Sequence, residues 1–168
     1  MDILDKIDFI DESTNDYKVW DVFDENKRKT SSAVLFTDGE YFLAVHPSRS
    51  AGNYWDLPKG GVDELENPDA AAVREFYEEV GIRIDKSKLE FMNKISIHEG
   101  EKDVLIYLYV VEKLAPISIM HCDSMTTAYG TPIPEVNKYK YILLKDHRKL
   151  RPAFHNVMRR IYSKLQRR

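Results

Sequence analysis

Between residues 68 and 80, apolar side chains return every three or four positions. Ala72, Val73, Phe76, Tyr77 and Val80 share one side of a helical wheel, the spacing of an amphipathic helix. Asn67 stands where an N-cap belongs, Pro68 suits the first turn, and Gly81 can end the helix; the pattern predicts a helix over Pro68–Val80. Upstream the pattern is that of strands. Ser31–Thr37 and Glu40–His46 are β-rich runs flanking Asp38-Gly39, which predicts a hairpin with a tight turn. Tyr17–Phe23 also has strand-type residues, whereas Met1–Asp16 is polar with scattered Ile and Leu and reads as a short helix or a loose arm. Pro47–Asn53 and Gly130–Pro134 read as loops. Downstream, strands are predicted near Leu89–His98, Val104–Val111 and Tyr139–Leu144, with a weaker one near Ile117–Met120. A closing helix begins near Pro152 and lines up Phe154, Val157, Ile161 and Leu165 on one stripe. Strands, helix, strands, helix predict an α/β fold: a mixed sheet between helices, an α/β/α sandwich.

Composition narrows the class. The chain has 168 residues, enough for one domain over 1–168 with a real core, and no linker or repeat divides it. No apolar run is long enough to cross a bilayer, so no membrane partner is expected. Cys122 is the single cysteine, which excludes an intramolecular disulfide and suggests a reducing, cytoplasmic setting. Net charge is −3, unevenly spread. Acidic residues gather at the start (Asp2, Asp5, Asp8, Asp11, Glu12, Asp16) and basic ones in the 152–168 helix and just before it (Arg148, Lys149, Arg151, Arg159, Arg160, Lys164, Arg167, Arg168). A basic end can meet a polyanion, although a solvated helix face accounts for it more simply.

Chemistry concentrates on the first helix. Glu75, Glu78 and Glu79 are spaced i, i+3 and i+4 and share a face beside the apolar one. Like charges at this spacing destabilise a helix unless a cation sits among them. Carboxylate oxygens select a hard ion, Mg²⁺ with Mn²⁺ as a substitute. Arg74 is placed to reach Glu78 one turn on. An acidic surface helix would show the same glutamates, so the residues before it matter. Gly60-Gly61 follows Pro58-Lys59, and glycines let backbone groups approach a metal or phosphate closely.

From Gly60 the spacing runs to Glu66, to Arg74-Glu75-Phe76, to Glu78-Glu79 and to Gly81-Ile82. It resembles the Nudix box at every fixed position. That resemblance implies the Nudix fold and a metal-dependent pyrophosphohydrolase acting on a nucleotide-type substrate. It also implies that Glu75, Glu78 and Glu79 bind the metal, joined by the carbonyl of Gly60 or Gly61, and that Glu66 and Arg74 orient loop and helix. One glutamate serves as general base. A second stretch, Pro134–Ile142 followed by the basic helix, resembles the C-terminal part of bacterial RNA pyrophosphohydrolases and dinucleoside-polyphosphate hydrolases. It implies Glu135 as a further ligand or base and Phe154 as a platform for a nucleobase, although its place on the helix stripe favours the core for Phe154. Trp55–Gly61 resembles the diadenosine-tetraphosphate and diphosphoinositol branches. Lys59 stands where RNA pyrophosphohydrolases usually carry glutamine, and can pair with an extra phosphate.

Other residues read more plainly. Arg49 can touch phosphate or base. His121-Cys122-Asp123 is too tightly spaced for a metal site, His46 and His98 sit at strand ends, and Trp55 suits the core. The resemblance ranks dinucleoside polyphosphates such as diadenosine tetraphosphate first as substrates. A triphosphorylated or capped RNA 5′ end comes second, then ADP-ribose and related sugars, then nucleoside triphosphates. A silent module that binds nucleotide or RNA is the non-enzymatic alternative, and oligomeric state is not indicated.

Overall fold

A computed structural model describes residues 29–49, 54–98 and 100–167. The arm expected over 1–16, the strand expected over 17–23 and residues 50–53 of the first loop lie outside the described residues. Eight strands are described in chain order: β1 (Lys29–Thr37), β2 (Tyr41–Pro47), β3 (Lys59–Gly61), β4 (Glu90–Ile97), β5 (Lys102–Val110), β6 (Met125–Ala128), β7 (Thr131–Pro134) and β8 (Val136–Leu143). Two α-helices join them, α1 (Pro68–Val80) and α2 (His155–Gln166). The main sheet runs β4-β5-β1-β2-β8, with β3 paired to β1. The β1–β5 pair is parallel and the other pairs are antiparallel, so the sheet is mixed.

Both faces of the sheet are covered, which explains the unbroken apolar runs of its central strands. Alternate residues of β1 and β2 serve opposite layers. Ala33, Leu35, Phe42 and Ala44 pack with Phe154, Val157, Met158 and Ile161 on the α2 side. Val34, Phe36, Leu43 and Val45 pack with Ala72, Phe76 and Val80 on the α1 side. The expected α/β/α sandwich is present. Helix α1 ends where its local signals place it: Gly81 adopts φ 81° and its N–H donates to the Tyr77 carbonyl.

The hairpin at Asp38-Gly39 splays after its first pair, Thr37 with Phe42. The segment from Asp56 to Gly61 fills the gap. Asp56 exchanges backbone hydrogen bonds with Val45 of β2 (2.8 and 2.9 Å), Pro58 accepts from Val34 of β1 (3.0 Å), and β3 then pairs with Ser31–Ala33. This wedge fixes the loop ahead of α1 against the centre of the sheet.

Three expectations are corrected. Ile117–Ile119 form a single 3₁₀ turn and not a strand; the backbone bonds locally, the Ile119 and Met120 N–H groups donating to the Pro116 and Ile117 carbonyls. Thr131–Pro134 is a strand, paired with β6 across a two-residue turn in which Tyr129 and Gly130 take φ 51° and 79°. Prolines are tolerated in such a two-stranded ribbon, outside the main sheet. The third concerns Phe154. It closes a 3₁₀ turn (Pro152–Phe154) ahead of α2 and is 0% exposed within the α2-side core. A ring enclosed on all sides cannot stack on a nucleobase. Phe154→Ala is therefore expected to cost stability, about 3–5 kcal/mol, and not substrate preference. Thermal unfolding should show a midpoint lower by roughly 10 °C, with relative rates on different substrates conserved.

Candidate active site

Helix α1 turns an apolar face to the sheet and carries Glu75, Glu78 and Glu79 along its flank beside β3. Glu75 and Glu79 are buried, at 9% and 6% exposure, while the Glu78 side chain is about one-third exposed. Arg74 ties this flank to the preceding loop. Its Nε and Nη2 donate to the two oxygens of Glu66 (2.9 Å each) in a bidentate pair, and Nη2 also donates to the Gly61 carbonyl (2.8 Å). Its Nη1 lies between Glu75 (2.8 Å) and Glu78 (3.3 Å). The hydrogen bonds to Glu66 hold the guanidinium charged against the opposing effect of burial, and Glu75 adds to them.

The other partners come from the wedge. The Lys59 backbone N–H donates to Glu79 Oε2 at 3.1 Å. Gly60 lies so close to α1 that a Cβ there would sit 1.9 Å from Glu75 Cδ. Glycine is what admits the Glu75 carboxylate against the loop backbone. From the far wall, Tyr139 Oη donates to the Glu79 carbonyl, and Glu135, just before β8, accepts from Ser124 Oγ at 3.3 Å. Glu135 is near enough to raise the pKa values of both Glu75 and Glu79.

These carboxylates are held in tension. Burial pushes the Glu75 carboxyl up to about 7; Arg74 opposes the rise, and Glu78 and Glu135 add to it. Burial pushes Glu79 to about 8, opposed by Lys59 and reinforced by Glu75 and Glu135. Among the described residues, no three His, Cys, Asp or Glu side chains stand in the arrangement of a finished metal cage. Arg74 Nη1 occupies the position between two of them. The donor set nonetheless fits a hard divalent cation: three carboxylates on one flank, raised pKa values from crowded burial, and a glycine backbone open to the same space. Coordination would require Glu75 and Glu78 to turn partly from Arg74.

A pH dependence follows for the protein without divalent cation. Folded pKa values above the ordinary carboxylate value of 4.5 mean that the folded chain holds more protons than the unfolded chain from about pH 4.5 to 8. The contribution of Glu75 and Glu79 to stability is fully present at low pH and is lost as pH rises through 7 and 8. In EDTA the melting midpoint should fall between pH 6 and pH 8.5. Added Mg²⁺ should raise it more at pH 8.5 than at pH 6. A midpoint insensitive to pH, or a larger Mg²⁺ effect at pH 6, would contradict the crowded-carboxylate account.

The remaining candidates fall elsewhere. Lys59 directs its ammonium to Asp56 Oδ2 (3.0 Å), on the sheet face opposite Gly60. Arg49 is exposed after β2 with no ion pair among the described residues. His46 Nδ1 contacts Asn137 Oδ1 (2.8 Å), and the His121 ring packs where a Cβ on Gly81 would stand. Sequence reasoning missed Asp56 and Tyr139. The i, i+3 spacing of Asp56 and Lys59 was the available signal for the first; nothing local signals that Tyr139 reaches a helix carbonyl 60 residues earlier.

Comparison with known proteins agrees with this architecture. The NUDIX domain model matches residues 26–164. The chain belongs to the Nudix family of hydrolases, enzymes that split phosphoanhydride bonds. An RNA pyrophosphohydrolase of Nitratiruptor sp. is 30% identical over 139 residues, covering 75% of this chain and 79% of the relative. One from Bartonella tribocorum is 48% identical over 73 residues, 39% of this chain and 42% of the relative. Among solved structures, a Caenorhabditis elegans Ap4A hydrolase superposes with a TM-score of 0.62 at 21% identity, covering 82% of this chain and 99% of that one. The MutT protein of Methanosarcina mazei gives 0.58 at 22% identity, covering 86% and 99%. At these identities the structures speak for the fold. Among the described residues no helix is long and apolar enough to cross a membrane.

Proposed function

We propose that this chain is an RNA 5′-pyrophosphohydrolase, which uses a divalent cation and water to split a phosphoanhydride bond at a triphosphorylated RNA 5′ end. The observation that carries the reading is the likeness to an RNA pyrophosphohydrolase across three-quarters of the chain. It displaces dinucleoside polyphosphates from first place, since the Ap4A hydrolase likeness extends to the fold alone. In this reading Glu75, Glu78 and Glu79, with the Gly60 carbonyl, hold Mg²⁺ or Mn²⁺. When bound, the ion neutralises phosphate charge and lowers the pKa of water. Arg74 keeps the glutamates on one flank and offsets their repulsion while they exchange partners. Glu135, on the opposite wall and not tied to Arg74, takes the proton from the attacking water.

The test is a panel assayed with Mg²⁺: a 5′-triphosphorylated oligoribonucleotide, diadenosine tetraphosphate, ADP-ribose and ATP. The highest kcat/KM is expected on the RNA, with activity abolished by EDTA. A kcat/KM tenfold higher on diadenosine tetraphosphate would replace this reading by the dinucleoside-polyphosphate one. Unaltered activity in Glu78→Gln would remove the metal assignment.

A further inference from the structure

Strands β6 and β7 form a sheet of their own, apart from the main one. The roots of this ribbon lie in the candidate site. Ahead of β6, the Asp123 N–H donates to the Glu78 carbonyl of α1 (2.7 Å). After β7, the Glu135 N–H donates to the Ser124 carbonyl (3.0 Å), and the Glu135 carbonyl accepts from the N–H of Ser48, just past β2 (2.8 Å). The Ser124 hydroxyl also donates to the Glu135 carboxylate. The ribbon thus rises from the wall that carries Glu135. Its four-residue arms, at about 3.3 Å per residue, set the tip roughly 15 Å from Glu135.

The chemistry of the ribbon differs from that of the rest of the chain. Residues 125–134 (MTTAYGTPIP) hold no charged side chain, although 32% of the sequence is charged. Met125, Thr127, Pro132 and Pro134 fall on one face, and that face is exposed. A two-residue turn closes on a hydrogen-bonded pair, here Ala128 with Thr131. Pro132 and Pro134 therefore occupy positions whose N–H would point outward, so β7 offers no donors to a further strand there. Contacts on that side must come from side chains. At the tip, positive φ at both Tyr129 and Gly130 is the pattern of a type I′ turn, which asparagine and glycine fill with least strain. Tyrosine strains the backbone there and holds a fully exposed ring. Neither the turn nor the core gains from that ring. An uncharged arm with an aromatic tip lacks what a phosphate requires and has what a base requires, since any base presents a face on which a ring can stack.

We propose that Tyr129 stacks on an unpaired base of the RNA, downstream of the nucleotide whose anhydride is hydrolysed, and that the β6–β7 ribbon is the arm that presents it. The proposal rests on the RNA reading and names where the chain beyond the first nucleotide is held. ATP, with a single nucleoside, ends short of the tip.

Tyr129→Asn separates the ring from the turn. Asparagine accepts the left-handed conformation, so the melting midpoint should hold or rise. A lowered midpoint would mark the ring as structural and overturn the proposal. Binding is read in EDTA, by fluorescence anisotropy, with a short 5′-monophosphorylated oligoribonucleotide labelled at its 3′ end. Tyr129→Asn should bind it about tenfold more weakly than wild type, and Tyr129→Trp should match wild type. On the triphosphorylated form with Mg²⁺, the loss should fall on KM and leave kcat unchanged, and ATP kinetics should be those of wild type. When bases are removed one at a time, one abasic position should abolish the difference between Tyr129→Asn and wild type. Equal RNA affinity of the two proteins would overturn the arm and leave the ring to a protein partner. Equal losses on RNA and on ATP would overturn it by placing the ring at the first nucleoside. Wild type that fails to hydrolyse the triphosphorylated RNA, while Tyr129→Asn still weakens RNA binding, would sink the RNA pyrophosphohydrolase reading and leave the arm standing.

Discussion

Glu79→Gln is expected to lower kcat by about a thousandfold while the metal-free protein melts no lower than wild type at pH 8. Glutamine keeps the shape of the side chain and its carbonyl oxygen, which can still accept from the Lys59 N–H. It removes the charge that burial and the neighbouring Glu75 and Glu135 oppose, the same opposition that pushes Glu79 up to about 8. Fold stability is thus relieved of a penalty where catalysis loses a ligand. A thousandfold loss corresponds to about 4 kcal/mol at the transition state, the scale expected when a metal-held charge stabilisation is withdrawn. Isothermal titration with Mn²⁺ should show affinity reduced at least tenfold. Near-normal kcat with normal Mn²⁺ affinity would mean that Glu79 is a structural acceptor and that the site lies elsewhere. A large drop in melting midpoint would mean that its charge is needed for folding.

How much was legible in the sequence depends on how local each feature is. The bounds of α1 come from Pro68 and Gly81, which act through their own backbones, and the structure places them there. The spacing from Gly60 to Ile82 is contiguous, so the meeting of Glu66 with Arg74 follows from one loop and one helix. The burial of Phe154 is of another kind. A stripe on a helix tells which residues share a side, but not whether a sheet or a ligand covers it; the strand residues clustered with Phe154 reach from Ile142 back to Ala33. Strand β7 depended on Tyr129 accepting a positive φ, which no propensity favours. The cluster around Asp56 is the most distant of all. Lys59 and Arg151 both pair with Asp56, and Arg151 is brought there by its N–H donating to the Trp55 carbonyl.

Gly60→Ala should separate the site from the fold in the opposite way to Glu79→Gln, by steric means. The new Cβ would lie 1.9 Å from Glu75 Cδ and Oε2, well inside contact distance. What it strikes is the far end of a flexible side chain and not backbone, and the native φ at Gly60 lies outside the left-handed region. The cheapest response is for Glu75 to swing away, breaking its 2.8 Å bond to Arg74 and leaving the flank of α1. The variant should remain folded, with the melting midpoint within several degrees of wild type, yet lose about two to three orders of magnitude in kcat, a cost of roughly 3–4 kcal/mol. Gly61→Ala is the matched comparison: its Cβ would meet nothing within 4 Å, so its loss should stay below about threefold. Equal losses at the two glycines would point to backbone flexibility of the loop. A Gly60→Ala enzyme with wild-type kcat would show that the Glu75 carboxylate need not rest against the loop, and the proposed metal site would have to be rebuilt without it.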